Sequence, residues 1–148
     1  MRAAQSLYEG VEMANGDIVG LITYMRTDSL NISAQAQQEA KDYIVDNFGT
    51  EYVPEKARNY KTKSKGAQEA HEAIRPTSVL RNPLEIKSAL QSAGRELFKL
   101  YQLIWERFVS SQMANAVYDT VRAEINAGLS TNDMPYLFRA SGSRIRFK

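Results

Sequence analysis

The segment around Tyr24 carries the side chains with the clearest potential for chemistry. Tyr24 lies near the end of a short apolar run, and Arg26 follows two residues later. Residues two apart in an extended backbone project from the same face, so this phenol and guanidinium could meet one phosphate group. A tyrosine hydroxyl can attack a phosphodiester, while a guanidinium stabilises the charge that develops on the phosphate oxygens. The alternatives are a core tyrosine and a surface ion pair between Arg26 and Asp28.

A second polar cluster surrounds His71, the single histidine of the chain. Pro76 disfavours helical geometry in the residue before it, so a short helix is predicted from about residue 67 to Arg75. On that helix His71 and Arg75 would lie one turn apart and face the same way, which suits an anion. The alternative is a structural histidine balanced by neighbouring glutamates.

Two basic stretches are candidates for contacts with a phosphate backbone. Residues 56–65 hold five basic side chains, one tyrosine and no acid, and their lack of periodicity predicts an exposed loop. The chain also ends on Arg139, Arg144, Arg146 and Lys148. Such contacts supply charge without identifying a base, and a solvated surface explains the same pattern. Binding that weakens with salt would separate the two interpretations.

Periodicity predicts the elements that must position these groups. A helix is predicted over residues 1–11, and the apolar run 18–25 predicts a buried strand or extended segment. Ser33 can cap a helix that ends at Gly49, a residue suited to a left-handed cap. Tyr24 is thus expected to lie between two helices.

Two further helices are predicted in the middle of the chain. Asn82 would cap the first of them, with Pro83 in its first turn and Glu85 returning a hydrogen bond to the cap. The second helix has apolar residues at intervals of three and four: Leu97, Tyr101, Ile104 and Phe108. This second helix is expected to anchor the helical core.

The last part of the chain changes to the two-residue period of strands. Val121, Ala123 and Ile125 alternate with polar residues, which predicts a half-buried strand. Two more strands are predicted at 136–140 and 144–148, separated by a Ser-Gly-Ser turn. Three strands form a marginal sheet on their own, so the chain is expected to be a piece of a larger protein.

Composition limits the class of protein. The chain has 148 residues, of which 43% are hydrophobic and 24% charged, enough to bury a core in one domain or in one domain and part of another. A net charge of +2 does not by itself indicate nucleic-acid binding. The absence of cysteine excludes disulfides, a thiolate nucleophile and a cysteine zinc site. No apolar run approaches the roughly 20 residues that span a bilayer, so a soluble intracellular chain is expected.

Two motifs resemble the nucleophile segment and the histidine helix of bacterial type IA DNA topoisomerases. They are GLITYMRTDS at residues 20–29 and QEAHEAIRPT at residues 68–77. The resemblance extends from residue 5 through residue 113 and, more loosely, into the predicted strands. The strings YMRTDS and AIRPT favour topoisomerase I, and topoisomerase III and reverse gyrase are the alternatives within the family.

The resemblance implies a role for each candidate residue. Tyr24 would attack a phosphate of single-stranded DNA, forming a 5′-phosphotyrosyl bond and freeing a 3′-hydroxyl, so that negative supercoils relax without ATP. Arg26 would stabilise the scissile phosphate, and His71 would contact the DNA backbone nearby. Three further positions would belong to the DNA-binding surface: Gln5, Asp28 and Arg75.

The resemblance also implies the domain organisation. The expected fold is α+β, mainly α: a helical domain bearing the tyrosine over residues 1–113, followed by an incomplete antiparallel β segment of the adjoining hinge domain over residues 114–148. The expected partners are single-stranded DNA and the remaining domains of a parent enzyme, with no membrane. The expected location is the bacterial cytoplasm, at the nucleoid.

Magnesium is expected only in the parent enzyme. The family binds Mg²⁺ through an acidic cluster in an N-terminal domain that has no counterpart in these residues, so no metal ligand is expected here. A phenol with an ordinary pKa of about 10 is a poor nucleophile at neutral pH without help from another group. These residues alone are therefore expected to be inactive.

The competing interpretation is a non-catalytic helical module that binds single-stranded nucleic acid. In that case Tyr24 belongs to the core and the basic loop provides the affinity. Replacing Tyr24 in a complete enzyme separates the two interpretations, because only a topoisomerase would lose relaxation.

Overall fold

The computed structural model describes residues 2–60, 72–130 and 133–147. These residues form four α-helices and two small antiparallel sheets, which confirms the predicted α+β, mainly α class. The chain divides into two compact units, Met1–Ala114 and Asn115–Lys148. The division lies between residues 114 and 115, next to the boundary expected between 113 and 114.

The first unit is a helical bundle with a minimal sheet. In chain order its elements are α1 (Arg2–Glu9), β1 (Val11–Glu12), β2 (Ile18–Val19), α2 (Ala34–Phe48), a 3₁₀ turn (Thr50–Tyr52), α3 (Lys87–Ala93) and α4 (Arg95–Gln112). Strands β1 and β2 pair antiparallel, and α4 packs against α1, α2 and α3. The longest helix of the unit therefore contacts every other helix in it.

Helix α2 begins and ends as its sequence predicts. The Ser33 hydroxyl accepts a hydrogen bond from the Ala36 amide at 3.3 Å. At the other end Gly49 has a φ of +112°, and its amide donates to the carbonyls of Ile44 and Val45. A positive φ is strained for residues with a Cβ, so glycine fits this cap. The helix that follows the tyrosine segment is thus fixed at both ends.

The core forms around the buried face of α4, as its periodicity predicts. Trp105 donates from Nε1 to the carbonyl of Val79 at 2.9 Å, and the Tyr101 hydroxyl donates to the carbonyl of Arg81 at 2.8 Å. These bonds satisfy polar atoms that burial would otherwise leave unpaired. The buried apolar side chains are Leu7, Val11, Leu21, Ile22, Ala36, Ala40, Ile44, Val79, Leu90, Leu97, Tyr101, Trp105, Phe108 and Val109.

The helix predicted from residue 67 to Arg75 is wrong where the structure describes it. Residues 72–75 form no helix, and Pro76 forms an antiparallel bridge with Ile22. The Thr23 amide donates to the Arg75 carbonyl at 2.9 Å, so the backbone groups that a helix would use are engaged by another segment. Residues 67–71 lie outside the described residues.

The predicted start of the next helix is also wrong. Helix α3 begins at Lys87, and residues 83–86 form turns. The Asn82 side chain does accept a bond, from the Leu84 amide at 2.9 Å, but the Asn82 amide donates to the Leu80 carbonyl rather than to Glu85. Asn82 therefore stabilises a turn ahead of the helix instead of capping the helix.

The second unit is a long β-hairpin. Its strands are β3 (Val117–Ala127) and β4 (Tyr136–Phe147), paired antiparallel with a register shift between Val117 and Tyr118. The two strands predicted around a turn at residues 141–143 are one strand, because Gly142 pairs with Val121. The predicted half-buried face is exposed in this unit, where Val121 is 72% exposed.

Candidate functional site

Tyr24 ends an extended segment that is held on both sides. On one side the Leu21 amide donates to the Leu7 carbonyl of α1 at 2.7 Å, and on the other the Thr77 amide donates to the Leu21 carbonyl at 2.9 Å. Gly20 makes the first approach feasible, because a Cβ at that position would lie 2.8 Å from the Tyr8 carbonyl oxygen. The segment reaches Tyr24 with its backbone fixed.

The Tyr24 side chain projects out of the core that its segment crosses. Leu21 and Ile22 are buried, whereas Tyr24 is 51% exposed. The interpretation of Tyr24 as a core tyrosine is therefore wrong. Its hydroxyl makes no hydrogen bond to any residue among 2–60, 72–130 and 133–147. An exposed phenol on a fixed backbone is accessible to a ligand.

Arg26 and Tyr8 flank the Tyr24 ring. The guanidinium carbon of Arg26 lies 5.8 Å from the centre of the ring, within the range of a cation–π contact. The Tyr8 ring lies 5.2 Å from the Tyr24 ring at an interplanar angle of 68°. The Arg26 amide also donates to the Tyr24 carbonyl at 2.9 Å, so the backbone turns between the two residues. The structure thus brings together the phenol and guanidinium that the sequence pairs.

Gln5 lies one turn before Tyr8 on the exposed face of α1. Its amide donates to the carboxylate of Glu9. Asp28 is half-buried in the loop after Arg26. Neither position is tested as a DNA contact by these observations, and both remain predictions.

Arg75 lies in the segment that pairs with the tyrosine segment, and its side chain is directed at the protein. Its Nε and Nη2 donate to the two carboxylate oxygens of Glu72 at 2.8 and 3.0 Å, and its Nη1 donates to the carbonyl of Pro76 at 2.8 Å. The side chain is 12% exposed. A DNA contact by Arg75 stays a prediction, while the internal contacts are evident.

Glu72 receives one more hydrogen bond. Its Oε1 accepts from the amide of Ser33, the cap residue of α2, at 2.9 Å. Partial burial acts to raise the pKa of Glu72, but the hydrogen bonds from Arg75 and Ser33 outweigh burial and hold that pKa below its ordinary value of 4.5. The carboxylate is therefore charged at neutral pH.

His71 lies outside the described residues, so its predicted proximity to Tyr24 stays a prediction. The same holds for residues 61–65 of the basic loop and for Lys148. Of the described part of that loop, Arg58 is half-buried, and its guanidinium donates to the Met113 carbonyl at 3.4 Å.

In the second unit Arg139 pairs with Glu124 at 2.9 Å, and Arg146 pairs with Asp119 at 3.6 Å. These pairs are exposed and weak, so their arginines are accessible.

Three residues that contribute to the candidate site were not predicted from the sequence. The first is Tyr8, whose spacing of three residues from Gln5 places it near a candidate site residue on α1. The second is Thr23, a small residue hidden in an apolar run. The third is Glu72, one of the glutamates near His71 in sequence. Its ion pair with Arg75 could have been predicted from their spacing of three residues.

In the ranges 2–60, 72–130 and 133–147, no three histidine, aspartate or glutamate side chains are close enough together to hold a metal. Within the same ranges no helix has the length and apolar character needed to cross a membrane.

The chain matches the family model described as DNA topoisomerase over residues 1–148. It is also similar to the structure of full-length topoisomerase I from Thermotoga maritima, with a TM-score of 0.76 and 40% sequence identity. That match covers 99% of this chain and 21% of the other, so the chain spans about a fifth of the length of the protein it matches. The chain belongs to the type IA DNA topoisomerase family.

Proposed function

We propose that these residues are the tyrosine-bearing part of a topoisomerase that relaxes negatively supercoiled DNA. The Tyr24 oxygen attacks a phosphate of one strand, the bond from phosphorus to the 3′ oxygen breaks, and the strand ends become a 5′-phosphotyrosyl ester and a 3′-hydroxyl. A second strand passes through the gap, and the 3′-hydroxyl then attacks the ester to restore the backbone. No ATP is needed, because one phosphoester replaces another.

The observation that supports this proposal is the exposed Tyr24 ring with the Arg26 guanidinium beside it. A phosphate brought to the Tyr24 hydroxyl would lie within reach of a long, cationic side chain. A guanidinium stabilises the extra charge on phosphate oxygens in the transition state, which is the largest contribution a protein makes to such a reaction. Arg26 is therefore the proposed electrostatic group, and His71 and Asp28 are proposed as further DNA contacts.

The remaining requirements come from elsewhere in the proposed enzyme. We assign the magnesium ligands and the proton transfer to the 3′ oxygen to other parts of that enzyme, since the described residues lack a suitable acidic cluster. The 148 residues alone should bind single-stranded DNA weakly and in a salt-dependent way, without relaxing supercoils. Relaxation by the isolated 148 residues would contradict this assignment.

A relaxation assay on the full-length enzyme tests the proposal. Tyr24→Phe should abolish relaxation, because phenylalanine lacks the attacking oxygen. Tyr136→Phe is the matched control, since Tyr136 is a similarly exposed tyrosine, at 64%, in the second unit. Relaxation by the Tyr24→Phe enzyme, or equal loss in both variants, would contradict the proposal.

The second candidate function is a module that binds single-stranded nucleic acid without cutting it. The exposed ring of Tyr24 next to Tyr8 and Arg26 also suits base stacking, which favours this candidate. It predicts that Tyr24→Phe keeps the affinity for single-stranded nucleic acid, since the ring remains. It also predicts that the full-length enzyme with this substitution relaxes DNA as well as the unaltered enzyme does. A topoisomerase III or a reverse gyrase would use the same tyrosine chemistry. These two alternatives differ only in the enzyme to which the residues belong.

A further inference from the structure

Glu72 joins the segment of residues 72–75 to the start of α2. Its Oε1 accepts hydrogen bonds from the Ser33 amide and from Nε of Arg75, at 2.9 and 2.8 Å, and its Oε2 accepts from Nη2 of Arg75 at 3.0 Å. The pairing with Arg75 is bidentate, an arrangement that fixes the planes of both groups as well as their separation. The carboxylate therefore holds Arg75 and the start of α2 in one geometry.

The backbone of Arg75 carries this geometry to the tyrosine segment. The Arg75 carbonyl accepts from the Thr23 amide at 2.9 Å, and the Arg75 amide donates to the Thr23 hydroxyl at 3.0 Å. That hydroxyl in turn donates to the Ala73 carbonyl at 2.7 Å. Thr23 is covalently bonded to Tyr24, so a displacement of Arg75 would displace the backbone from which the Tyr24 side chain starts.

The same carboxylate also fixes the far end of the loop that carries Arg26. This loop runs from Tyr24 to Ser33, and Ser33 is bound to Glu72. Near the same end, the Ala73 amide donates to the Asn31 carbonyl at 2.7 Å. Both ends of the loop are thus tied to the segment of residues 72–75.

We propose that Glu72 is a positioning residue for the tyrosine nucleophile. It holds both ends of the loop that carries Tyr24 and Arg26, acting through Arg75 at one end and Ser33 at the other, and it does not contact DNA. This inference rests on the function proposed above. In-line attack on phosphorus requires close alignment, and a displacement of about 1 Å can slow such a step by about 100-fold.

Single-turnover cleavage of a single-stranded oligonucleotide by the full-length enzyme tests this role. Glu72→Gln keeps the shape of the side chain and removes its charge, and it should slow cleavage by about 10- to 100-fold. The dissociation constant for the same oligonucleotide is measured in enzymes that also carry Tyr24→Phe, so that no cleavage occurs. It should be the same with and without Glu72→Gln. Glu106→Gln is the matched control, because Glu106 is an exposed glutamate of α4 that accepts a hydrogen bond from Gln102 at 2.7 Å, and it should change neither quantity.

Hydrogen exchange gives a readout independent of catalysis. Peptides covering residues 20–33 should exchange faster in Glu72→Gln than in the unaltered enzyme, while the rest of the helical unit keeps its protection. Arg75→Lys, which keeps the charge but loses the bidentate pairing, should give a smaller effect in the same direction. If Glu72→Gln folds poorly, exchange of residues 20–33 in Arg75→Lys tests the positioning role instead.

Unchanged cleavage and unchanged exchange in Glu72→Gln would overturn the positioning role. An equal loss of cleavage and DNA affinity would overturn it as well, because it would place Glu72 in the binding surface. If the Tyr24→Phe enzyme still cleaves DNA, the proposed function fails instead, and faster exchange of residues 20–33 in Glu72→Gln would still support the holding role.

Discussion

The rings of Tyr8 and Tyr24 lie 5.2 Å apart in an edge-to-face arrangement, and this contact joins α1 to the proposed nucleophile. The two residues are on segments that also share a backbone hydrogen bond, from the Leu21 amide to the Leu7 carbonyl, so the contact is part of a fixed junction. An aromatic pair of this geometry contributes about 0.5–1.5 kcal/mol beyond the area it buries. Tyr8 is therefore expected to restrict the orientation of the Tyr24 ring.

Replacing Tyr8 tests this restriction. Tyr8→Leu removes the ring and should slow single-turnover cleavage by the full-length enzyme by about tenfold, consistent with loss of a contact of about 1.4 kcal/mol. Tyr8→Phe keeps the ring and should cleave at the original rate. Similar rates for all three proteins would show that the contact has no influence on the nucleophile.

Arg26 should contribute more than Tyr8, because it is expected to act on the phosphate itself. Arg26→Ala should lower the cleavage rate by about 100-fold or more, the usual effect of removing one group that stabilises transition-state charge. Arg26→Lys should recover part of the rate, since lysine supplies the charge but not the planar donors. Cleavage assays with the single-stranded oligonucleotide measure both, and an Arg26→Ala enzyme with full activity would exclude the electrostatic role.

Trp105 is expected to be a principal support of the helical unit. Trp105→Phe leaves the buried Val79 carbonyl without its donor and opens a small cavity, so the free energy of unfolding should fall by about 1–3 kcal/mol. Chemical denaturation followed by circular dichroism measures the change. Leu103→Ala, at a position 52% exposed on the same helix, should change the stability by less than about 0.5 kcal/mol.

Tyr101 makes the stability of this unit sensitive to alkaline pH. Burial raises the pKa of the Tyr101 hydroxyl well above its ordinary value of 10.0, with a smaller opposing effect of Arg81 and a smaller raising effect of Glu39. A raised pKa in the folded state means that the folded protein holds this proton more tightly, so its contribution is complete below pH 10 and is lost as the pH rises further. Tyr101→Phe should be less stable near pH 8 because the bond to the Arg81 carbonyl is lost, but its stability should fall less steeply above pH 10. Denaturation curves between pH 8 and about 11 measure both effects, and parallel curves for the two proteins would contradict the assignment.

The sequence predicts the elements whose structure depends on local signals. Helices α2 and α4 follow from capping residues and from apolar residues at intervals of three and four, because these signals act within one helix. The pairing of Tyr24 with Arg26 follows from their closeness along the chain. In each case the interacting groups are neighbours in sequence.

The wrong predictions share a different cause. Residues 72–75 have a plausible helical pattern, yet hydrogen bonds to Thr23 and the bridge between Ile22 and Pro76 engage this segment and it forms no helix. Such pairing joins residues about fifty apart in sequence and has no local signal. The turn predicted at residues 141–143 failed for a similar reason, because cross-strand pairing with β3 keeps Gly142 in a strand.

The most direct test of the account is to identify the residue that DNA captures. The full-length enzyme is incubated with a single-stranded oligonucleotide, the reaction is stopped with denaturant, and the covalent adduct is digested and analysed by mass spectrometry. A nucleotide attached through its 5′ phosphate to Tyr24 is expected, with no adduct in the Tyr24→Phe enzyme. An adduct on any other residue, or one that survives Tyr24→Phe, would contradict it.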